Sequence, residues 1–140
     1  MMTKLKMKHV LVLTIAAARV LLFGWAGVEA ADHTTDSLET VKERIKNQKA
    51  VLVDVREMDE WDAGHVEGAI FAPLKKIADN EEVADIKKTL PKDKILYFHC
   101  KSGGRCRIAA DLLKNEGFDI RPLKPGYKAL IEAGFEKAKE

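Results

Sequence analysis

The sequence predicts an α/β protein, a single doubly wound domain in which helices flank a central, mostly parallel sheet of four to five strands. Short apolar runs alternate along the chain with segments of helical spacing, an order typical of right-handed β-α-β crossovers. The apolar runs are nearly continuous, as in strands buried on both faces of a parallel sheet. A length of 140 residues leaves room for one domain.

The first helix and the first strand follow a short polar stretch. Asp36 or Ser37 can cap a helix whose apolar residues are spaced i, i+3 and i+7, namely Leu38, Val41 and Ile45. The run Val51–Val55 is predicted as the first strand. One or two helical turns over Glu57–Trp61 follow, and Gly64 ends them.

The middle of the chain alternates in the same way. Ala69–Ala72 is predicted as the second strand, ended by Pro73. Asn80–Leu90 is predicted as a helix with an apolar stripe, and Pro91 closes it. Ile95–His99 is the third predicted strand.

The last part supplies two further helices and one strand. Arg107–Glu116 is predicted as a helix that packs through Ile108, Leu112 and Leu113, with Gly117 at the expected C′ position. Phe118–Leu123 is the fourth predicted strand, and Gly126–Ala133 is the closing helix.

Residues 1–30 have the pattern of a signal peptide. Lys4, Lys6 and Lys8 precede the mostly apolar residues 10–26, and the small residues Val28 and Ala30 suit cleavage before position 31. We therefore expect an exported, periplasmic protein, with no membrane span once the leader is removed. Arg19 interrupts the apolar run, so an uncleaved anchor over residues 10–26 and a cytosolic mis-start are the alternatives.

The remaining chain divides into a tether over residues 31–36 and the folded domain over residues 37–137. Residues 31–140 hold 20 Lys and Arg and 21 Asp and Glu, so the formal charge of +2 comes from the leader. A near-neutral body offers no broad basic face, which argues against nucleic-acid binding. We predict no metal site, because His9 and His33 have no partners at ligand spacing.

The chemically informative segment follows the third predicted strand. Cys100 comes directly after apolar residues, and a helix begins a few residues later. Backbone N–H groups, the helix N-terminus and two cations of this loop all favour a thiolate, the nucleophilic form of cysteine. We expect this sulfur to be reachable by an anionic substrate, held by the residues that follow, which are Lys101, Ser102, Gly103, Gly104 and Arg105.

Two stretches resemble the rhodanese-like sulfurtransferase family. The first is Leu52–Arg56, followed by Glu60-Trp61, Gly64-His65-Val66, Gly68-Ala69-Ile70 and Pro73. The second is the strand, cysteine loop and helix over residues 95–116. Gly126-Tyr127 and Ala133-Gly134-Phe135 are similar to the family's closing pattern, so the resemblance covers residues 37–136.

The resemblance implies sulfur transfer through a persulfide on Cys100, without a cofactor. The family's active loop has six residues from cysteine to arginine, which Cys100–Arg105 matches. Related phosphatases and arsenate reductases have a seven-residue loop with arginine at the position that Cys106 occupies here. The implied partners are a small anionic sulfur donor such as thiosulfate and a thiol or cyanide acceptor.

Several residues have both a functional and an architectural interpretation. Asp54 and Arg56 lie on the predicted active-site edge, where they either support the site or brace the scaffold, for example through an Arg56–Glu60 pair. Arg105 either holds substrate or pairs with an acidic neighbour. His65 is expected to be a turn residue whose ring bonds the backbone.

Cys106 departs from the family pattern, in which Ser or Thr often follows the arginine. It is either a buried residue at the helix start or a resolving thiol that closes a Cys100–Cys106 disulfide. The second interpretation implies a reductant partner and makes an exported dithiol redox protein an alternative function. A persulfide carrier, loaded by a partner protein, is a further alternative.

Overall fold

The computed structural model of the protein describes residues 30–140. The predicted signal peptide over residues 1–30 and the alternative anchor over residues 10–26 lie outside this range, apart from Ala30. Within residues 30–140, no helix has the length and apolar character needed to cross a membrane.

Four parallel strands form the sheet, as the sequence predicts. The strands β1 (Ala50–Asp54), β2 (Ile70–Phe71), β3 (Ile95–His99) and β4 (Asp119–Pro122) lie in the order β2-β1-β3-β4. All three pairings are parallel, and Asp54 at the end of β1 is in register with His99 at the end of β3. Because parallel strands end at one edge, the residues that follow β1 and β3 meet there.

Six helices connect the strands and cover the sheet among the described residues. They are α1 (Leu38–Lys46), α2 (Met58–Ala63), α3 (Leu74–Ile77), α4 (Val83–Thr89), α5 (Arg105–Leu112) and α6 (Tyr127–Glu132). The short helix α3 was not predicted. Pro73, expected only to end β2, is also the N-cap residue of α3. Proline is tolerated there because the N–H that it lacks would have no hydrogen-bond partner within the helix.

Two apolar clusters fill the two faces of the sheet. One packs β1 and β3 against α3, α4 and α5 and includes Val53, Phe98, Cys100 and Cys106. The other packs the opposite face against α1 and α6 and includes Val41, Leu52, Tyr97 and Leu130. Covering both faces explains why the strand sequences are apolar without alternation.

The predicted packing of helix α5 is confirmed for Leu113 and wrong for Ile108 and Leu112. The helix begins at Arg105, two residues earlier than predicted, and its buried residues are Cys106, Ala109 and Ala110, followed by Leu113 just beyond its end. Ile108 and Leu112 are 38% and 37% exposed. Small residues face the sheet here because they let the helix approach closely, while the larger aliphatic side chains lie on the outer side.

The polar segment over residues 31–36 is bonded to the domain along its length. Ala31 and Arg107 exchange two hydrogen bonds, and the Thr34 N–H donates to the carbonyl of Pro122. The Asp36 carboxylate accepts from Tyr97, Arg44 and Arg121, and these contacts lower its pKa to about 2 against the opposing effect of burial. This segment is therefore fixed to the folded domain.

Candidate active site

The candidate active site lies where β1 and β3 end. Cys100 follows the last residue of β3 directly, and the loop over residues 101–104 leads into α5. The carbonyl of Cys100 accepts from the N–H of Tyr127 at 2.9 Å, which ties the start of the loop to α6. The cysteine therefore stands at the carboxyl edge of the sheet, as the sequence predicts.

The Cys100 sulfur faces hydrogen-bond donors. The Cys106 thiol is the strongest influence, and the N–H groups of residues 106, 102 and 103 add to it; together they outweigh burial and lower the Cys100 pKa to about 5. The Gly103 N–H lies 3.1 Å from the sulfur. The Cys106 thiol has a single proton, which can also be donated to either of two backbone carbonyls. The backbone N–H groups are therefore the donors that always face the Cys100 sulfur. The sulfur of Cys100 is thus a thiolate at neutral pH.

Access to this sulfur differs from the expectation. Cys100 is only 1% exposed, so its sulfur lies beneath the loop and is not open to solvent. A sulfur donor must therefore enter through the loop or displace part of it. A small donor can pass through the loop, whereas a bulky donor reaches the thiolate only if the loop rearranges.

Cys106 is a protonated neighbour of the nucleophile. It is fully buried in the first turn of α5, and its thiol lies 3.4 Å from the Gly103 carbonyl and 3.3 Å from that of Leu123. The nearby Cys100 sulfur and burial both raise the Cys106 pKa, so it remains a thiol while Cys100 is a thiolate. Both cysteines are free.

Two glycines allow the loop to close. Gly103 has a φ of +87°, and a Cβ there would lie 2.8 Å from the Lys124 carbonyl oxygen. A Cβ on Gly126 would overlap the Lys101 carbonyl at 1.8 Å, so α6 can approach the loop only through a glycine. Gly104 is not needed in the same way, because its φ is −84° and no atom of residues 30–140 lies within 4 Å of a Cβ there.

The Arg105 guanidinium is paired with a carboxylate. It donates two hydrogen bonds to Glu60 at 2.5 and 2.9 Å. This contact lowers the Glu60 pKa to about 2 against burial. Of the two interpretations of Arg105, the structure therefore contains the pair with an acidic residue. This pair joins α2 to the start of α5.

Asp54 and Arg56 form a buried ion pair. The Arg56 guanidinium donates to both carboxylate oxygens, at 2.7 Å in the shortest contact, and also to the Gly64 carbonyl at 2.8 Å. It lies over the Tyr127 ring, 4.2 Å from the centroid. The expected Arg56–Glu60 pair is wrong, since Arg56 pairs with Asp54 and Glu60 pairs with Arg105.

A small cleft opens beside the loop. Its volume is about 270 Å³, and its wall consists of Arg56, Glu60, Ala63, Gly64, Lys101, Tyr127 and Lys128. Lys101 and Ser102 are exposed, so both side chains are available to an incoming molecule. Arg56 is paired with Asp54, and Lys128 lies 4.0 Å from Glu132, so Lys101 is the cation of this wall that has no ion-pair partner among residues 30–140.

Two histidines near the site were missed by sequence reasoning. His33 bonds the Gly103 carbonyl through Nε2 at 2.7 Å, which places the segment over residues 31–36 against the loop. His99 is fully buried, neither ring nitrogen has a hydrogen-bond partner within residues 30–140, and Nε2 lies 3.8 Å from Asp54. Burial lowers the His99 pKa despite the nearby carboxylate, so the ring is neutral. By contrast, His65 bonds the Trp61 carbonyl at 3.1 Å, as expected.

No metal-binding group is present among residues 30–140, where no three His, Cys, Asp or Glu side chains converge. The site therefore consists of a buried thiolate, inward N–H groups and a second thiol. Such an arrangement can form and stabilise a sulfur adduct on Cys100.

Sequence comparison defines the class of protein. The profile of the rhodanese-like domain matches residues 37–133, and the chain belongs to this family. YqhL of Bacillus subtilis is 31% identical over 123 residues, which cover 87% of this chain and 92% of YqhL. The fold, the cysteine loop and the family assignment together support sulfur transfer as the general chemistry.

Other relatives carry the domain within longer proteins. The tRNA uridine(34) hydroxylase of Protochlamydia amoebophila is 32% identical over 68% of this chain but only 30% of its own length. The putative sulfur carrier protein YrkF of Bacillus subtilis is 31% identical, with 66% of this chain and 48% of YrkF covered.

Solved structures show the same architecture. The human single-domain sulfurtransferase TSTD1 is 25% identical with a TM-score of 0.59, and the match covers 72% of this chain and 97% of TSTD1. A rhodanese-related protein from Thermoplasma volcanium, 24% identical with a TM-score of 0.61, covers 80% of this chain and shares the fold.

Proposed function

We propose that the protein is a thiosulfate-type sulfurtransferase that carries sulfur as a persulfide on Cys100. The observation that carries this proposal is the stabilised thiolate at the end of β3, beneath a loop whose N–H groups point at its sulfur. Such groups stabilise a negative sulfur both before and after a second sulfur atom is added.

The first step is attack of the Cys100 thiolate on the outer sulfur of thiosulfate. The new S–S bond forms as the sulfur–sulfur bond of the donor breaks, and sulfite leaves with its two negative charges. The persulfide keeps the single charge on its outer sulfur. A nucleophile of lowered pKa suits this reaction because it needs no general base at neutral pH.

The second step returns the enzyme to its starting state. A thiophilic acceptor such as cyanide attacks the outer sulfur, leaves as thiocyanate and restores the Cys100 thiolate. Lys101 and Ser102, exposed at the rim, are proposed to meet the anionic part of the donor. The N–H groups of Gly103 and Gly104 complete the proposed donor site, and Arg105, paired with Glu60, holds the end of the loop in place.

Wild-type protein and Cys100→Ser test this function directly. Thiosulfate and cyanide should yield thiocyanate only with the wild type. Intact-mass measurement of Cys106→Ser after thiosulfate should find about 32 Da added, because one sulfur atom remains on the thiolate. Absence of both thiocyanate and the added mass, in wild type and Cys106→Ser alike, would refute the proposal.

A persulfide carrier is a second candidate, favoured by the 1% exposure of Cys100. In that case a partner protein would deliver sulfur after opening the loop, and thiosulfate would load the protein poorly. Loading by a cysteine-derived protein persulfide, measured beside thiosulfate at equal concentration, separates the two. Faster loading from thiosulfate supports the enzyme, and loading from the protein donor alone supports the carrier.

We also propose that the protein is exported to the periplasm. The proposal rests on the positive residues 4–8, the apolar residues 10–26 and the small residues before position 31. Intact mass of the protein from a periplasmic fraction should correspond to a chain that starts at Ala31. A full-length chain recovered with membranes would support the anchor, and one in the cytosol would contradict export.

A further inference from the structure

The two cysteine sulfurs both contact the backbone of Gly103. The N–H of Gly103 points at the Cys100 sulfur from 3.1 Å, and the carbonyl of the same residue lies 3.4 Å from the Cys106 sulfur. Both side chains are buried in the same apolar cluster, at 1% and 0% exposure. The chain thus places a second thiol beside the nucleophile, away from solvent.

We propose that Cys106 resolves the Cys100 persulfide, so that the protein releases the transferred sulfur as hydrosulfide and closes a Cys100–Cys106 disulfide. This inference rests on the proposed persulfide chemistry. The Cys106 sulfur bonds to the inner sulfur of the persulfide, on Cys100, and the bond to the outer sulfur breaks. The outer sulfur leaves with the electron pair and takes the proton of the Cys106 thiol.

This step balances without an external oxidant. A persulfide anion and a thiol become a disulfide and a hydrosulfide anion, so the sulfane sulfur gains the two electrons that the cysteine pair loses. The disulfide then needs a dithiol reductant, which returns Cys100 to the thiolate and Cys106 to the thiol. Turnover would therefore consume a dithiol and a sulfane-sulfur donor and produce sulfide.

The burial of the site favours an internal acceptor. An acceptor from solvent must pass the loop to reach a sulfur that is 1% exposed, whereas Cys106 is already beside it. A reacting group held in place has an effective concentration far above that of a free thiol. The opposite pKa shifts of the two residues also give each a separate role, with Cys100 as first nucleophile and Cys106 as proton carrier.

The experiment uses reduced wild-type protein, freed of reductant and kept without oxygen, with thiosulfate as the only added reactant. We expect about one equivalent of sulfide per chain and a final mass about 2 Da below that of the reduced protein. Trypsin would cut after Lys101, Arg105 and Arg107, so a peptide over residues 95–101 should be found linked to one over residues 106–107.

Matched variants separate the outcomes. Cys106→Ser should hold the added sulfur and release less than about one tenth of the sulfide, since no second thiol can attack. A wild type that keeps the sulfur on Cys100, or moves it to Cys106 without releasing sulfide, overturns this inference and leaves the sulfurtransferase proposal intact. If neither protein takes up sulfur, the proposed function itself fails.

Discussion

Glu60 holds Arg105 through two hydrogen bonds of 2.5 and 2.9 Å, although the two residues are 45 positions apart in the chain. Glu60 belongs to α2, after β1, and Arg105 begins α5, after β3. The pair therefore ties together the two connections whose starting points border the site. It also neutralises the charge that the loop sequence alone would assign to substrate binding.

Glu60→Gln should loosen this connection. The neutral amide keeps the size of the side chain but replaces a charge-assisted pair with weaker bonds, so the free energy of unfolding should fall by about 1–2 kcal/mol. Chemical denaturation at pH 7 measures the change. Because the folded Glu60 pKa is about 2 against 4.5, its stabilisation is present above pH 4.5 and is lost as the pH falls toward 2.

Glu82→Gln is the matched control for Glu60→Gln. Glu82 lies 3.8 Å from Lys76, and both side chains are about half exposed. Exposed pairs contribute little, so this change should cost less than about 0.5 kcal/mol. Equal losses for the two variants would mean that the Glu60–Arg105 pair has no special role.

The adjacent glycines of the loop predict opposite responses to alanine. Gly103→Ala forces a side chain into a left-handed conformation and against the Lys124 carbonyl, so it should cost at least about 1–2 kcal/mol and weaken persulfide formation. Gly104 has an ordinary helical conformation, and a Cβ there meets no atom of the described part of the chain within 4 Å, so Gly104→Ala should be neutral or slightly stabilising. Denaturation and thiosulfate loading of both variants test this, and a tolerated Gly103→Ala would contradict the loop geometry.

The strands and Cys100 could be predicted from the sequence, whereas the partners of the arginines and of His33 could not. Strand positions were predictable because apolar runs buried on both faces leave a clear pattern, and Cys100 follows directly from the end of β3. The partners of Arg56 and Arg105 were not predictable, because Arg56 has several carboxylates near it in sequence and the partner of Arg105, Glu60, is 45 residues away. His33 gave no local signal, since its partner Gly103 is 70 residues away.

The predicted packing of Ile108 and Leu112 in α5 was wrong for a different reason. The helix carries large aliphatic residues on one side and Cys106, Ala109 and Ala110 on the other, and both spacings are helical. Size favoured the first side, but the close approach of α5 to the sheet requires the second. A helix that starts beneath an active loop is positioned by that loop as well as by its own apolar stripe.

The unpartnered ring of His99 predicts a dependence of stability on pH. Burial lowers its folded pKa below 6.5, so the unfolded chain binds a proton that the folded one does not. The free energy of unfolding should therefore fall as the pH drops below 6.5, by up to about 1.4 kcal/mol per pH unit from this group. Cys100 also makes the free energy of unfolding depend on pH in this range, because its pKa is lowered in the folded protein. All of the proteins compared should therefore retain Cys100.

His99→Leu and His99→Gln separate ionisation from polarity. Both variants lack the titrating ring, so both should lose this part of the slope between pH 6.5 and 5. Only leucine also removes the unsatisfied polar atoms, and it should raise the free energy of unfolding at pH 7 by about 1 kcal/mol. Denaturant titrations across the pH range test this; an unchanged slope in both variants would mean that His99 finds a partner in solution.

The ionisation of Cys100 should be visible directly. Its lowered pKa predicts that the ultraviolet absorbance of a thiolate appears with a midpoint near pH 5, and that the rate of sulfur uptake from thiosulfate declines below that pH. Cys100→Ser should lack this transition. Cys106→Ala removes one donor but leaves the backbone N–H groups, so its midpoint should rise yet stay below the ordinary value of 9.0. A wild-type midpoint near 9 would mean that the loop does not stabilise the thiolate, and the chemistry proposed for the site would lose its basis.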